Sequence, residues 1–170
     1  VLEDFSERPI TKLPEEIGAE TPWANVSFWA TDTLKGEITA RGQFIRKVLK
    51  YARHGHMPRI TEQIMEDGMC SDYKEIYKVT MRVTDVVKKA KKIKVTNAAG
   101  SNLEVELNPN WRWKPCHGLY HTKGEWGNLP EGETFTAAAK ANGVMVIDLL
   151  GDFFDKKYGI LTDTPLRIKV

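Results

Sequence analysis

From residue 73 onward the chain changes its hydrophobic period. Tyr73, Ile76, Val79, Val83, Val86, Val87 and Ala90 recur every three or four positions, which predicts a helix over about 73 to 90 with one apolar stripe. Asp72 followed by Glu75 has the spacing of a capping box and marks where that helix starts. Beyond it the period becomes two. Ile93-Lys94-Val95-Thr96-Asn97 and Leu103-Glu104-Val105-Glu106-Leu107, joined by Ala98-Ala99-Gly100-Ser101-Asn102, predict a hairpin with one buried face. Further strands are expected at 134–136, 144–149 and 166–170. Upstream, Leu34, Ile38, Ile45, Val48, Leu49 and Ala52 fall on one side of a helix over roughly 33 to 54, with Thr31, Asp32 and Thr33 offering caps and Gly55 and Pro58 stopping it. A short strand is expected at 25–30, and a short helix opens at Thr61 and closes at Gly68. Pro9, Pro14 and Pro22 make residues 1 to 24 an extended arm.

These elements predict an α+β protein, with a helical or α/β amino-terminal part over 1–70 followed by a β-rich unit with hairpins over 71–170. Length and a hydrophobic content of 41% permit a sizeable core. A formal net charge of +2 gives no footprint for nucleic acid or a membrane surface. Lys88, Lys89, Lys91 and Lys92 form a basic run that either binds phosphate or, at a helix carboxyl end, complements the helix dipole. No apolar run approaches the ~20 residues of a membrane span, and the first residues lack the pattern of a secretion signal, so a cytoplasmic location is expected. Cys70 and Cys116 are expected as free thiols.

Chemistry concentrates in Gly124-Glu125-Trp126-Gly127-Asn128-Leu129-Pro130-Glu131-Gly132-Glu133-Thr134-Phe135-Thr136-Ala137. Gly127, Pro130 and Gly132 force a tight turn that delivers Glu133 to a β-prone segment. A rigidly held carboxylate suits a divalent metal or a general base, and it equally suits a turn cap that accepts backbone N–H bonds. Glu125 and Glu131 flank it. Cys116-His117, His121 and the pair His54-x-His56 supply metal-ligand residue types, though at no standard spacing and without a matched fourth ligand. Trp111, Trp113, Tyr120 and Trp126 either line an apolar pocket or plug the end of a small β core.

The 124–137 wording, followed by Ala141-Asn142-Gly143-Val144-Met145-Val146-Ile147-Asp148, resembles the aminopeptidase S and aminopeptidase T family of metallopeptidases. Pro58-Arg59-Ile60-Thr61-Glu62, Asp72-Tyr73-Lys74-Glu75-Ile76, the 93–103 hairpin and Trp111-Arg112-Trp113 are similar to further landmarks of the same proteins, in the same order. Their superfamily also holds the ring-cleaving 2,5-dihydroxypyridine dioxygenases. The resemblance implies that Glu133 is a metal ligand, that Trp126, His117, His121 and Glu125 border the substrate, and that the cofactor is zinc, cobalt or manganese for a peptidase or iron for a dioxygenase. It further implies a peptide or small-molecule substrate. The family's remaining ligands lie well downstream of this glutamate, so another chain or segment is expected to complete the site in a homo- or hetero-oligomer. Three functions follow as expectations: an aminopeptidase-like hydrolase, a non-haem iron dioxygenase opening a hydroxylated heteroaromatic ring, or a non-catalytic subunit of a larger complex.

Overall fold

The computed structural model describes residues 12, 14–31, 37–151, 157–159, 161 and 165–170. Helices alternate with parallel strands early and antiparallel strands dominate later, so the expected α+β architecture forms. In chain order the main elements are α1 (Glu15–Glu20), β1 (Val26–Thr31), α2 (Glu37–Val48), β2 (Arg53–Pro58), a π-helical turn (Ile64–Met69), α3 (Tyr73–Val87), β3 (Lys92–Thr96), β4 (Asn102–Leu107), β5 (Lys114–Cys116), β6 (Trp126–Asn128), β7 (Glu133–Phe135), β8 (Ala138–Ile147) and β9 (Leu166–Lys169). They form two compact units, Val1–Val79 with Cys116–Glu133 and Thr80–Pro115 with Thr134–Val170. Among the described residues no helix is long and apolar enough to cross a membrane.

The first unit holds a parallel sheet in the order β1-β2-β6. Parallel neighbours need a crossover connection, and α2 lies in the one between β1 and β2. Its core is Trp29, Ala40, Phe44, Ile45, Val48 and Ala52, with the Trp29 and Phe44 rings 5.1 Å apart. The helix expected over 33 to 54 therefore ends at Val48, and residues 53–58 are a strand instead. That strand was hidden because its buried positions are His54, Gly55 and His56, none of them a hydrophobic marker. The expected caps Asp32 and Thr33, together with Leu34 and the Ile38 side chain, lie outside the described residues. So does half of the expected amino-terminal arm, while 15–23 is helical rather than extended.

His54 and His56 project from the same side of β2, as alternation along a strand requires. They are 1% and 6% exposed. The His54 ring meets Phe44 edge-on at 5.5 Å, and its Nδ1 lies 2.8 Å from Ser27 Oγ. Arg41 Nη1 donates to His56 Nε2 across 3.3 Å, and because a guanidinium only donates, the His56 proton sits on Nδ1. Burial pushes both imidazoles down to about 4; a Ser27 backbone bond partly opposes this at His54, while the charges of Arg41 and His54 reinforce it at His56.

The second unit is an antiparallel sheet in the order β3-β4-β8-β9. The β3–β4 hairpin forms as the period of two predicts. Asn97 Oδ1 accepts the Ser101 N–H across 2.9 Å, which closes the turn. Ser101 Oγ then accepts the Val146 N–H at 2.9 Å, tying that turn to β8 beside the buried Leu103 and Val146.

At the start of α3, Asp72 Oδ1 accepts the Lys74 and Glu75 N–H groups, as the capping residues predicted. Glu75 pairs with Lys78 rather than reaching back to close the box. The stripe of α3 lies only in part where the periodicity put it, with Tyr73, Ile76, Val87 and Ala90 half-buried. Val79, Val83 and Val86 are exposed, whereas Thr80 and Thr84 are buried. Thr84 Oγ1 donates to the Thr80 carbonyl at 2.8 Å, which satisfies its hydroxyl inside the helix and lets that face turn inward.

The buried histidines make stability depend on acid. Their folded pKa values lie below the unfolded value of about 6.5, so the unfolded chain binds more protons between pH 6.5 and 4. The stability is fully present above pH 6.5 and is lost as pH falls toward 4, by on the order of 3 kcal/mol per imidazole. Urea unfolding across this range reads the slope, and His56→Gln is expected to flatten it. An unchanged slope in that variant would show that His56 is not buried neutral.

Candidate functional site

The 118–133 segment is held to the first unit's sheet by main-chain and carboxylate bonds. His54 N–H donates to Glu125 O at 3.0 Å and Leu129 N–H to His56 O at 2.8 Å, which seats the segment alongside β2. Glu125 Oε2 accepts the N–H groups of His121 and Thr122 at 2.7 and 2.8 Å, and these backbone bonds hold its carboxyl below the usual range. Glu131 Oε1 accepts the Asn128 N–H at 3.2 Å across the turn, whose Leu129–Pro130 peptide is cis.

Two glycines make the seating possible. A side chain at Gly127 would place its Cβ 1.8 Å from Tyr120 Oη and 2.6 Å from Glu131 Oε2, closer than atoms can approach. At Gly55 a Cβ would meet Leu129 Cδ1 at 2.6 Å and Phe28 Cδ1 at 2.9 Å. Leu129, Glu131 and Tyr120 therefore rest on bare backbone.

Three potential ligand atoms converge here. Cys116 Sγ and one carboxylate oxygen from each of Glu131 and Glu133 all lie within 4.8 Å of one another. Cys116 is buried at the end of β5, Glu133 begins β7, and these two strands pair. Glu131 and Glu133 are two residues apart, the interval that puts side chains on one side of an extended backbone. That spacing was legible in the sequence; the thiol's arrival from 15 residues upstream was not.

A cavity of about 300 Å³ opens on the Gly55 side of the sheet, walled by Val26, Phe28, Leu119, Tyr120 and Leu129, with Arg53 and His121 also lining it. Of the expected substrate contacts, His121 is at this cavity. His117 stands outside its walls, with Nδ1 accepting the Leu119 N–H at 3.2 Å and its ring edge-on to Tyr77 at 4.8 Å. Burial lowers its pKa, against the pull of Glu125. Trp126 lies opposite His54 in the β2–β6 register, 38% exposed, and Glu125 is engaged with its own loop. Among the four aromatics weighed as a pocket, Tyr120 alone is a wall. Arg53 was not singled out in the sequence, where a lysine or arginine opening a strand carries no signal.

A thiol and two carboxylates grouped on an α+β scaffold could hold a metal ion, and by themselves select no particular reaction. The family model of NicX, 2,5-dihydroxypyridine 5,6-dioxygenase, matches residues 61–170, and the chain belongs to that family. Comparison with curated proteins and with solved structures found no match. The family match overturns the aminopeptidase expectation and with it the assignment as a hydrolase or metalloprotease. The 124–137 wording describes a scaffold common to both chemistries, so it indicated a metal platform without deciding what is done there.

The family implies a metal cofactor, and the donor set is compatible with one. A thiol and two carboxylates could supply the three protein ligands a catalytic divalent cation needs while leaving positions open. The two-His-one-carboxylate set common in non-haem iron oxygenases is not assembled among the described residues; the group there is a thiol with two carboxylates.

Gly127→Ala tests the seating. The added methyl has no room against Tyr120 Oη, and overpacking of this kind costs about 1–3 kcal/mol. Chemical denaturation is expected to show that loss, and Tyr120→Phe in the same chain to return part of it. A stable Gly127→Ala variant would show that Tyr120 does not pack over β6.

Proposed function

We propose that the protein opens a hydroxylated heteroaromatic ring with dioxygen at a single iron(II) held partly by Glu133. The convergence of Cys116, Glu131 and Glu133 inside the segment that matches the dioxygenase family carries this reading. In such a reaction a ring carbon–carbon bond breaks and both oxygen atoms enter the product, so no external reductant is consumed. Bound iron would supply the electrons that let ground-state dioxygen react with a closed-shell ring.

The chain's own residues have separable tasks. Glu133 and Glu131 provide hard oxygen donors, and the Asn128 N–H holds Glu131 from behind so that its carboxylate does not swing. The Tyr120 hydroxyl is buried with no hydrogen-bond partner among the described residues, next to Glu131 and with its ring in the cavity wall. It holds a proton at Oη for an oxygen of the bound ring. The apolar walls offer the ring a surface to pack against. Further ligands would come from another segment or a second copy, which makes the assembled protein the form to assay.

Iron content and oxygen uptake with 2,5-dihydroxypyridine test the proposal, with ¹⁸O₂ locating both atoms in the ring-opened product. Glu133→Gln is expected to lower bound iron and oxygen uptake together by at least roughly 10-fold, since even groups that only orient a ligand are worth that much. Full iron loading in Glu133→Gln would remove this residue from the site, and the absence of label in the product would remove the reaction.

A further inference from the structure

We infer that the cavity over β1 and β2 binds a planar ring bearing an anionic substituent, with Arg53 reading the charge. The inference takes the ring from the proposed function; the charge requirement comes from the cavity itself.

The cavity joins an apolar wall to a cation. Val26, Phe28, Leu119, Leu129 and the Tyr120 ring supply flat or aliphatic surface, and its volume of about 300 Å³ lies at the lower end of small-molecule sites, suited to one ring and a substituent. Gly55 lets Leu129 and Phe28 close over the main chain at the floor of the cavity, where a Cβ would meet them at 2.6 and 2.9 Å. Phe28 is 57% exposed and Val26 42%, an apolar wall left facing water.

Arg53 is half-buried at this lining. One of its five N–H groups donates from Nη1 to the His121 carbonyl at 3.1 Å, which fixes the guanidinium in place. Among the described residues it forms no salt bridge, whereas Lys78, Lys88 and Lys92 each pair with a carboxylate. A positioned guanidinium beside apolar surface, without an ion-pair partner among the described residues, matches a carboxylate or ring oxyanion in fork geometry. Glu125, the nearest acid in sequence to His121, directs its Oε2 at the His121 and Thr122 N–H groups and forms no ion pair with Arg53 among the described residues. An aliphatic ligand without an acceptor oxygen would leave the remaining N–H groups of this guanidinium to water.

Calorimetric binding of the full chain without added metal tests the inference, using 2-hydroxypyridine and its 5-carboxylate as a matched pair at low ionic strength. The carboxylated ring is expected to bind about 10-fold tighter or more, the range of a hydrogen bond to a charged group. Arg53→Gln should abolish that preference while leaving the neutral ring's affinity unchanged. Arg53→Lys, which keeps charge but loses the fork, should retain part of it, and it serves where Arg53→Gln does not fold by circular dichroism. Phe28→Ser should weaken both rings alike. Equal affinity for the two rings in the unaltered protein, no binding of either, or a preference that persists without Arg53 overturns the inference. Because binding is read without metal or turnover, loss of ring cleavage alone would count against the proposed function and not against this site.

Discussion

The arrangement of the first unit depends on how closely the 118–133 segment lies against its sheet, and that closeness depends on missing side chains. At Gly127 the Tyr120 hydroxyl and the Glu131 carboxylate occupy the space a methyl would take, and at Gly55 Leu129 and Phe28 do the same. Main-chain bonds from His54 to Glu125 and from Leu129 to His56 then fix the segment in register with β2. Carboxylates on a surface loop ordinarily move with it. Here Glu131 is anchored to the rigid part of the fold, which is the condition for a preorganised site.

The sheet of this unit also separates two electrostatic regimes. On the α2 side, His54 and His56 are buried and uncharged at neutral pH, set by desolvation and by the Arg41 contact. On the Gly55 side lie the cavity and Arg53. Strand alternation is enough to produce this division, since neighbouring residues of β2 point to opposite faces. One strand of six residues thus supplies a polar interior behind the sheet and a cation before it. The acidic pair approaches from the 129–133 turn, with the thiol of β5 beside it.

Much of this was written in the sequence where periodicity carried it. The β3–β4 hairpin, the start of α3 at Asp72 and the tight turn before Glu133 follow from alternation, capping chemistry and Gly-Pro content. Three things were not legible. β2 escaped because two imidazoles and a glycine fill its buried positions, and a polar residue becomes an interior one only when partners such as Ser27 and Arg41 are supplied by distant segments. The α3 stripe held in part, since Tyr73, Ile76, Val87 and Ala90 are half-buried while Val79, Val83 and Val86 face out and Thr80 and Thr84 are buried. The ligand group was half visible. Glu131-x-Glu133 lies in plain spacing, but Cys116 had been weighed with its neighbour His117, and strand pairing gave it to the glutamates instead. The reaction was the least legible feature of all, because the motif that marks the platform is shared by proteins that hydrolyse and proteins that oxygenate.

The first unit takes its residues from two stretches, Val1–Val79 and Cys116–Glu133, with the hairpin of the other unit encoded between them. A clone ending anywhere before residue 126 would leave β2 with one open edge where β6 belongs, and would delete the acids along with it. Dissection by a single cut is therefore ruled out for this scaffold. Isolating the pocket-bearing half calls for excising 80–115 and rejoining the flanks, a splice rather than a truncation.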